Sequence, residues 1–321
     1  GCTVDNNHGI ITLPVPERVN GQTDVIGLKC DPIPVVRVGF IGLGMRGHGA
    51  VNRFMIFDDI EVKAISDFEP FNLARVQEIL TSKGHPEAAV YTGNDGWKEL
   101  CQRDDIDLIY ICTDWYSHAE IAVYAMQQGK HVAVEGPAAT TVEECWQLVD
   151  TAEKTRKHCM LLENCCYDDF VLATLNMAQQ GLFGEIVHTE GAYIHDLRPL
   201  LFSERTRTGE EYVPGVGVVE QLERLAPTGY WEKWRLKFNT EHTGNPYPTH
   251  GFGPACQVLN IHRGDKMDYL VSVSSNQFGM TEYAKEKFGK NSPEAQTEYA
   301  KGDMSTTLLK THKGKTIMLQ H

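Results

Sequence analysis

The residues best suited to chemistry fall into a few short runs. The first is Gly42-Leu43-Gly44-Met45-Arg46-Gly47, with Asp67 about 20 residues past its last glycine. In a G-x-G-x-x-G turn the first glycine permits the tight bend. The second lets backbone approach a pyrophosphate, and the third lets the next helix pack close to its strand. The helix start then offers free N–H groups to an anion. Asp67 closes the next strand-like run, where a carboxylate can hold ribose hydroxyls and repel a 2′-phosphate. The pattern therefore selects NAD over NADP. A second group is a set of polar turns just past other strand-like runs: Thr113-Asp114-Trp115-Tyr116-Ser117-His118, Glu135-Gly136-Pro137 and Asn164. A third is Gly191-Ala192-Tyr193-Ile194-His195-Asp196. In a strand Tyr193 and His195 share a face, and a phenol beside an imidazole suits proton transfer or hydroxyl recognition. The last comprises Trp234-Arg235 and the run Thr243-Gly244-Asn245-Pro246-Tyr247-Pro248-Thr249-His250-Gly251. Its prolines and glycines are expected to fix an irregular loop that displays Tyr247 and His250. A lone histidine is more often a satisfied structural side chain, but so rigid a polar run is rarely mere packing.

These residues need elements to hold them. Strand-like runs occur at 35–41, 60–66, 107–112, 131–135 and 160–163. Helix-like runs lie between them, to about Phe57, then Asn72 to Lys83, Ser117 to Gln128, and onward from Thr141. Glu143 and Glu144 place acidic charge at the positive start of that last helix. Strands alternating with helices specify a doubly wound parallel sheet, a Rossmann-type α/β domain. The second half reads differently. A helix runs from Asp168 to Gln180, and strands are expected at 185–195, 267–277, 304–311 and 316–319. Without parallel crossovers they imply an α+β domain with an open, mostly antiparallel sheet. The expected division is an N-terminal extension over 1–34 with little structure, a cofactor domain over 35–166, and a substrate domain over 167–321 that is C-terminally incomplete. Residues 203–229 read as an insertion.

Composition narrows the function classes. The chain has 321 residues with 41% hydrophobic and 23% charged content, near the globular average. Its 43 acidic and 30 basic residues leave a formal charge of −13. That argues against nucleic acid or an anionic membrane as the main partner. No apolar run reaches the roughly 18 residues of a membrane span. The nine cysteines include no C-x-x-C pair, so neither a disulfide framework nor a metal site is expected. Cys165-Cys166 read as strand neighbours pointing to opposite faces. Gly1-Cys2 leaves two locations open: a lipobox remnant would anchor the protein in a bacterial periplasm, and an ordinary N-terminal pair would leave it cytoplasmic.

The span Val38 to Pro137 resembles the glucose–fructose oxidoreductase/inositol dehydrogenase (Gfo/Idh/MocA) family. Most dehydrogenases of that family carry Glu-Lys-Pro where this chain has Glu135-Gly136-Pro137. The absent lysine argues against plain dehydrogenation. Residues 42–47, 135–139, 163–168, 191–198, 234–236 and 247–251 together look like glycoside hydrolase family 109, the NAD-dependent α-N-acetylgalactosaminidases. By that resemblance Met45, Arg46, Asp67, Trp115, Tyr116, Ser117, His118, Glu135, Gly136 and Asn164 contact NAD, beside Gly42, Gly44 and Gly47. Tyr193, Arg235, Tyr247, Pro248, Thr249 and His250 line the sugar site, and Glu163 lies close to the chemistry. A further substrate tyrosine of the family falls beyond His321.

The implied reaction oxidises sugar carbon 3, removes the acidified carbon 2 proton, expels the α-linked group, adds water and returns the hydride. NAD-dependent glycosidases stand outside the two-carboxylate scheme. The catalytic residues expected are Glu163, Tyr193, His195, Tyr247 and His250, with His195 and Tyr193 at the carbon 2 and carbon 3 protons and Tyr247 or His250 near the leaving group. The substrate is a sugar or glycoconjugate, and a homo-oligomer is compatible with this reading. The alternatives are a net NAD-dependent sugar dehydrogenase and a non-catalytic sugar-binding homologue.

Overall fold

A computed structural model of the chain describes residues 3–5, 10–203 and 230–321. Gly1-Cys2 lies outside them, as does the expected insertion apart from Ser203. Two compact units form, Gly1–Val134 with Ala138–Met160, and Glu135–Pro137 with Leu161–His321. Residues 161–166 and Glu135–Pro137 group with the second unit. The cause is local. The chain leaves its strand through a 3₁₀ turn, Asn164–Tyr167, which packs on the helix Thr249–Val258.

In the first unit Thr3–Asp5 (β1) and Ile10–Thr12 (β2) form a small antiparallel pair. The extension is more ordered than its composition suggests. Arg18 donates two hydrogen bonds to the Glu153 carboxylate, at 2.9 and 2.7 Å, and Gln22 donates to Asp150 and Glu153. The Glu153 side chain is only 3% exposed, so this bidentate pair ties the extension to the domain. The sheet strands are Val36–Ile41 (β3), Ile60–Ser66 (β4), Ala89–Tyr91 (β5), Leu108–Ile111 (β6), His131–Glu135 (β7) and Cys159–Leu162 (β8). Their order is β5-β4-β3-β6-β7-β8, and the β3–β4, β4–β5, β3–β6 and β6–β7 pairings are parallel. Val38, Phe40, Ile109 and Ile111 are fully buried, as a sheet covered on both faces requires. From β3 the chain runs to one side for β4 and later returns to the other side for β6. The loops after β3 and β6 therefore part at the carboxyl ends of the strands, where such sheets bind ligands. Thr141 caps the helix Val142–Thr155, and Glu144 completes the reciprocal capping box.

In the second unit His188–Ala192 (β9), Met267–Ser274 (β10), Ser305–Thr311 (β11) and Thr316–Gln320 (β12) lie in the order β10-β11-β12-β9. β10–β11 and β11–β12 are antiparallel, and β12–β9 is parallel. The sheet is therefore mixed, and mostly antiparallel as expected. β9 is shorter than the expected 185–195. One further bond, Tyr193 N–H to the Gln320 carbonyl at 2.9 Å, extends its ladder. Asp196 then turns the chain by accepting from Arg198 N–H at the start of the helix Arg198–Phe202. The expected irregular loop over 243–251 is also corrected. It becomes helical at Thr249, with Pro248 as N-cap, because proline tolerates a helix start. Ala255, Leu259, Leu309, Ile317 and Leu319 form the core between this helix and the sheet. No described helix is long and apolar enough to cross a membrane.

Candidate functional site

Two glycines of the loop in the first unit leave no room for a side chain. Gly42 has φ +86°, and a Cβ there would lie 2.6 Å from the Cys112 carbonyl carbon. A Cβ on Gly47 would run into the Gly42 carbonyl. Both positions thus demand glycine, and the helix Gly47–Phe54 starts directly from the turn. Asp67 grips the loop: one carboxylate oxygen accepts Leu43 N–H at 2.6 Å, the other Glu69 N–H at 2.8 Å and Asn72 Nδ2 at 3.2 Å. From the opposite side Arg75, 5% exposed, donates to the carbonyls of Leu43 at 2.7 Å and Gly44 at 3.3 Å. Met45 and Arg46 are exposed at the tip. After β6, Asp114 accepts the N–H groups of Tyr116 and Ser117, and Ser117 Oγ donates to Thr113 Oγ1. His118 is 1% exposed, and its ring meets the Thr113 carbonyl at 3.1 Å. It braces this turn from within. The glycine cradle and the carboxylate closing β4 fit a bound dinucleotide.

In the second unit a close backbone crossing builds the cluster. A Cβ on Gly191 would lie 2.6 Å from Gly251 Cα, and one on Gly251 2.8 Å from the Gly191 carbonyl carbon. This contact sets β9 against the helix Thr249–Val258 and brings Tyr193 to His250, ring centroids 5.0 Å apart. Tyr247 lies 5.3 Å from Tyr193 and 4.7 Å from His250. Tyr193 Oη is 3.3 Å from His195 Nδ1. His250 Nδ1 meets Glu163 Oε1 at 2.7 Å, and that oxygen also accepts Cys165 N–H at 2.9 Å. Burial raises the Glu163 carboxyl, but the hydrogen bonds from His250 and the Cys165 backbone outweigh it and hold the group below its ordinary value. Arg235, 7% exposed, donates to Tyr230 Oη at 2.7 Å and faces the Tyr247 ring at 5.4 Å. A Cβ on Gly136 would sit 3.4 Å from Tyr247 Oη and 3.3 Å from Thr249 Oγ1. Tyrosine and threonine thus crowd the place where a lysine at 136 would begin.

The structure brings together Glu163, Tyr193, His195, Tyr247 and His250, with Arg235 at the Tyr247 ring. Of the expected cofactor residues, Glu135, Gly136 and Asn164 fall in the second unit, and the rest in the first. Cys165 and Cys166 lie in a 3₁₀ turn rather than a strand. Glu163, Cys165 and His250 each place a ligand atom within 4.8 Å of the others. Burial, then the nearby Glu163 charge, push the Cys165 thiol up to about 11. Sequence reasoning missed Arg75 and Gly253. A Cβ on Gly253 would lie 2.8 Å from Glu163 Cγ, so this glycine admits the acid to the cluster. The only signal for it was a second glycine soon after His250.

The fold and the glycine cradle define the first unit as an NAD-binding Rossmann domain. Residues 36–162 match the oxidoreductase family with the NAD-binding Rossmann fold, and residues 167–321 match the glycosyl hydrolase 109 C-terminal domain. An α-N-acetylgalactosaminidase from Bacteroides fragilis is 56% identical over 304 residues, covering 95% of this chain and 67% of that protein. A glycosyl hydrolase family 109 protein from another strain of that species matches with the same identity and coverage. The crystal structure of scyllo-inositol dehydrogenase from Lactobacillus casei, with NAD(H) and scyllo-inositol, shares the fold. Its TM-score is 0.57 at 15% identity, over 89% of this chain and 69% of that one. The chain belongs to glycosyl hydrolase family 109.

Proposed function

We propose that the protein hydrolyses α-linked N-acetylgalactosamine by transient oxidation of the sugar. The observation that carries this reading is the Glu163–His250 pair set against Tyr193 and Tyr247, in a chain 56% identical to an α-N-acetylgalactosaminidase. When bound, NAD supplies reversible hydride acceptance, which makes carbon 3 a ketone and later restores it. The ketone acidifies the carbon 2 proton, and the protein must move that proton. Glu163, ionised at neutral pH, holds the Nδ1 proton of His250 and leaves Nε2 as the basic nitrogen. His250 is thus the base for carbon 2, in place of the exposed His195. Tyr193, hydrogen-bonded to His195, serves the carbon 3 hydroxyl proton. Tyr247 protonates the departing group, with Arg235 set against its ring at 5.4 Å.

The test is incubation with an aryl α-N-acetylgalactosaminide while aryl release and NADH absorbance are followed together. Aryl release without net NADH is expected. Stoichiometric NADH from the free sugar would instead identify a dehydrogenase, and binding without either signal a sugar-binding homologue. Carbon 2 should also exchange its proton with deuterated solvent. Release without exchange would sink the elimination route.

A further inference from the structure

A cavity of about 390 Å³ opens in the second unit beside Tyr193 and His195. Its polar wall includes Asn239, Lys301 and His321, and its apolar floor Leu197, Leu201 and Met280. Asn239 is 6% exposed, and its Oδ1 accepts no hydrogen bond among the described residues. A buried amide oxygen is rarely left so. Lys301 shares the lining, and its backbone N–H donates to the Asn239 backbone carbonyl at 3.0 Å. The Lys301 ammonium donates to the Gly302 carbonyl at 3.1 Å, which uses one of its three protons. Asp303, whose charge acts on it, accepts the N–H groups of Phe278 and Gly279. Burial lowers the Lys301 pKa, opposed by Asp303 and reinforced by Arg235. The lining therefore offers a buried amide acceptor and an ammonium donor with capacity to spare, beside His321 Nε2, which likewise has no hydrogen bond among the described residues, and the Leu197, Leu201 and Met280 side chains.

We propose that this cavity is the subsite for the acetamido group of the sugar, with Asn239 Oδ1 accepting the amide N–H, Lys301 donating to the amide carbonyl, and the methyl group resting on Leu201 and Met280. The proposal rests on the hydrolase reading above. Other small groups match less well. A carboxylate or sulfate would pair with Lys301 but set its oxygens against Asn239 Oδ1. A hydroxyl would leave the aliphatic floor uncovered. An acetamide supplies donor, acceptor and methyl in one planar unit. A site that hydrogen-bonds a substrate group rejects the analogue lacking it, because its own polar atoms are then left unpaired.

Calorimetric titration of the NAD-loaded protein with N-acetylgalactosamine and with galactose tests this. The wild type should bind the acetamido sugar at least about tenfold more tightly. Asn239→Leu and Lys301→Met should each remove that preference while the galactose affinity stays within about twofold. Lys301→Arg should restore part of it. Retained galactose binding shows that each variant is folded; should Asn239→Leu fail to fold, Lys301→Met decides alone. Equal wild-type affinities, no binding of either sugar, or parallel loss of both in the variants would overturn the proposal. Acetamide preference without aryl release would sink the hydrolase reading and leave the subsite standing. Aryl release without that preference would do the reverse.

Discussion

The loop after β3 and the ring cluster around Tyr193 are built from different parts of the chain. The loop is local. Its glycines, its helix start and the Asp67 and Arg75 side chains that clamp it lie between residues 42 and 75. Its glycine turn presents backbone groups, and Asp67 and Arg75 hold that turn by hydrogen bonds. The cluster is assembled from afar. Glu163 and His250 stand 87 positions apart in sequence, and Tyr193 reaches them through the Gly191–Gly251 crossing. There side chains do the chemistry, and backbone contact sets their spacing. A local loop tolerates little change in shape, whereas a dispersed cluster tolerates little change in chemistry.

Substitutions separate the two. The largest effect is expected from Glu163→Gln, which should lower aryl release by roughly 100-fold or more, as losing a group that orients a general base does. NAD affinity, read by nucleotide fluorescence, should be unchanged; a parallel loss would mean that the cluster also shapes the loop. Gly47→Ala should do the converse. Its Cβ meets the Gly42 carbonyl, so NAD affinity should fall by about tenfold or more, equivalent to ~1.4 kcal/mol. N-acetylgalactosamine binding to the NAD-free protein should stay constant in the same variant. A Gly47→Ala protein that holds NAD normally would remove the steric account of the loop. Arg75→Met should weaken NAD binding less, by a few-fold, since Asp67 still holds Leu43 N–H.

Acid titration sharpens the contrast further. The Glu163 carboxyl lies below its ordinary value of 4.5 when folded. Its contribution to stability is thus complete above that value and is lost as pH falls through the folded-state pKa. The melting temperature of the wild type should exceed that of Glu163→Gln most near neutral pH, and the gap should close below about pH 4.5. A constant gap would mean that the charge does not matter. The smallest effect belongs outside both regions. Thr141→Ala removes the cap of Val142–Thr155 and should cost about 1 kcal/mol in denaturant unfolding, with neither ligand affected.

Legibility in the sequence follows the same contrast. The strand β3, the glycine turn, Asp67 and the Thr141 helix start were all readable, because each depends on residues a few positions apart. β5 and the helix Gly96–Cys101 were not. Three to six residues are too few to show a period. In the second unit the residue types Tyr193, His195, Tyr247 and His250 stood out, yet the elements bearing them differed from expectation. β9 stops at Ala192, and the presumed loop at 249 is a helix. Pro248, a loop former by type, serves here as a helix N-cap.

From sequence alone came the class of domain, the cofactor and the reactive residue types, since periodicity and glycine spacing act through neighbours along the chain. The partnership of Glu163 with His250 needed the folded chain, because a 2.7 Å contact across 87 positions has no local signature. So did the paired glycines at 191 and 251, whose role is visible only where two backbones touch. The parallel register of β12 on β9 likewise joins segments that no short-range pattern relates. Which histidine is buttressed by a carboxylate was therefore settled by packing.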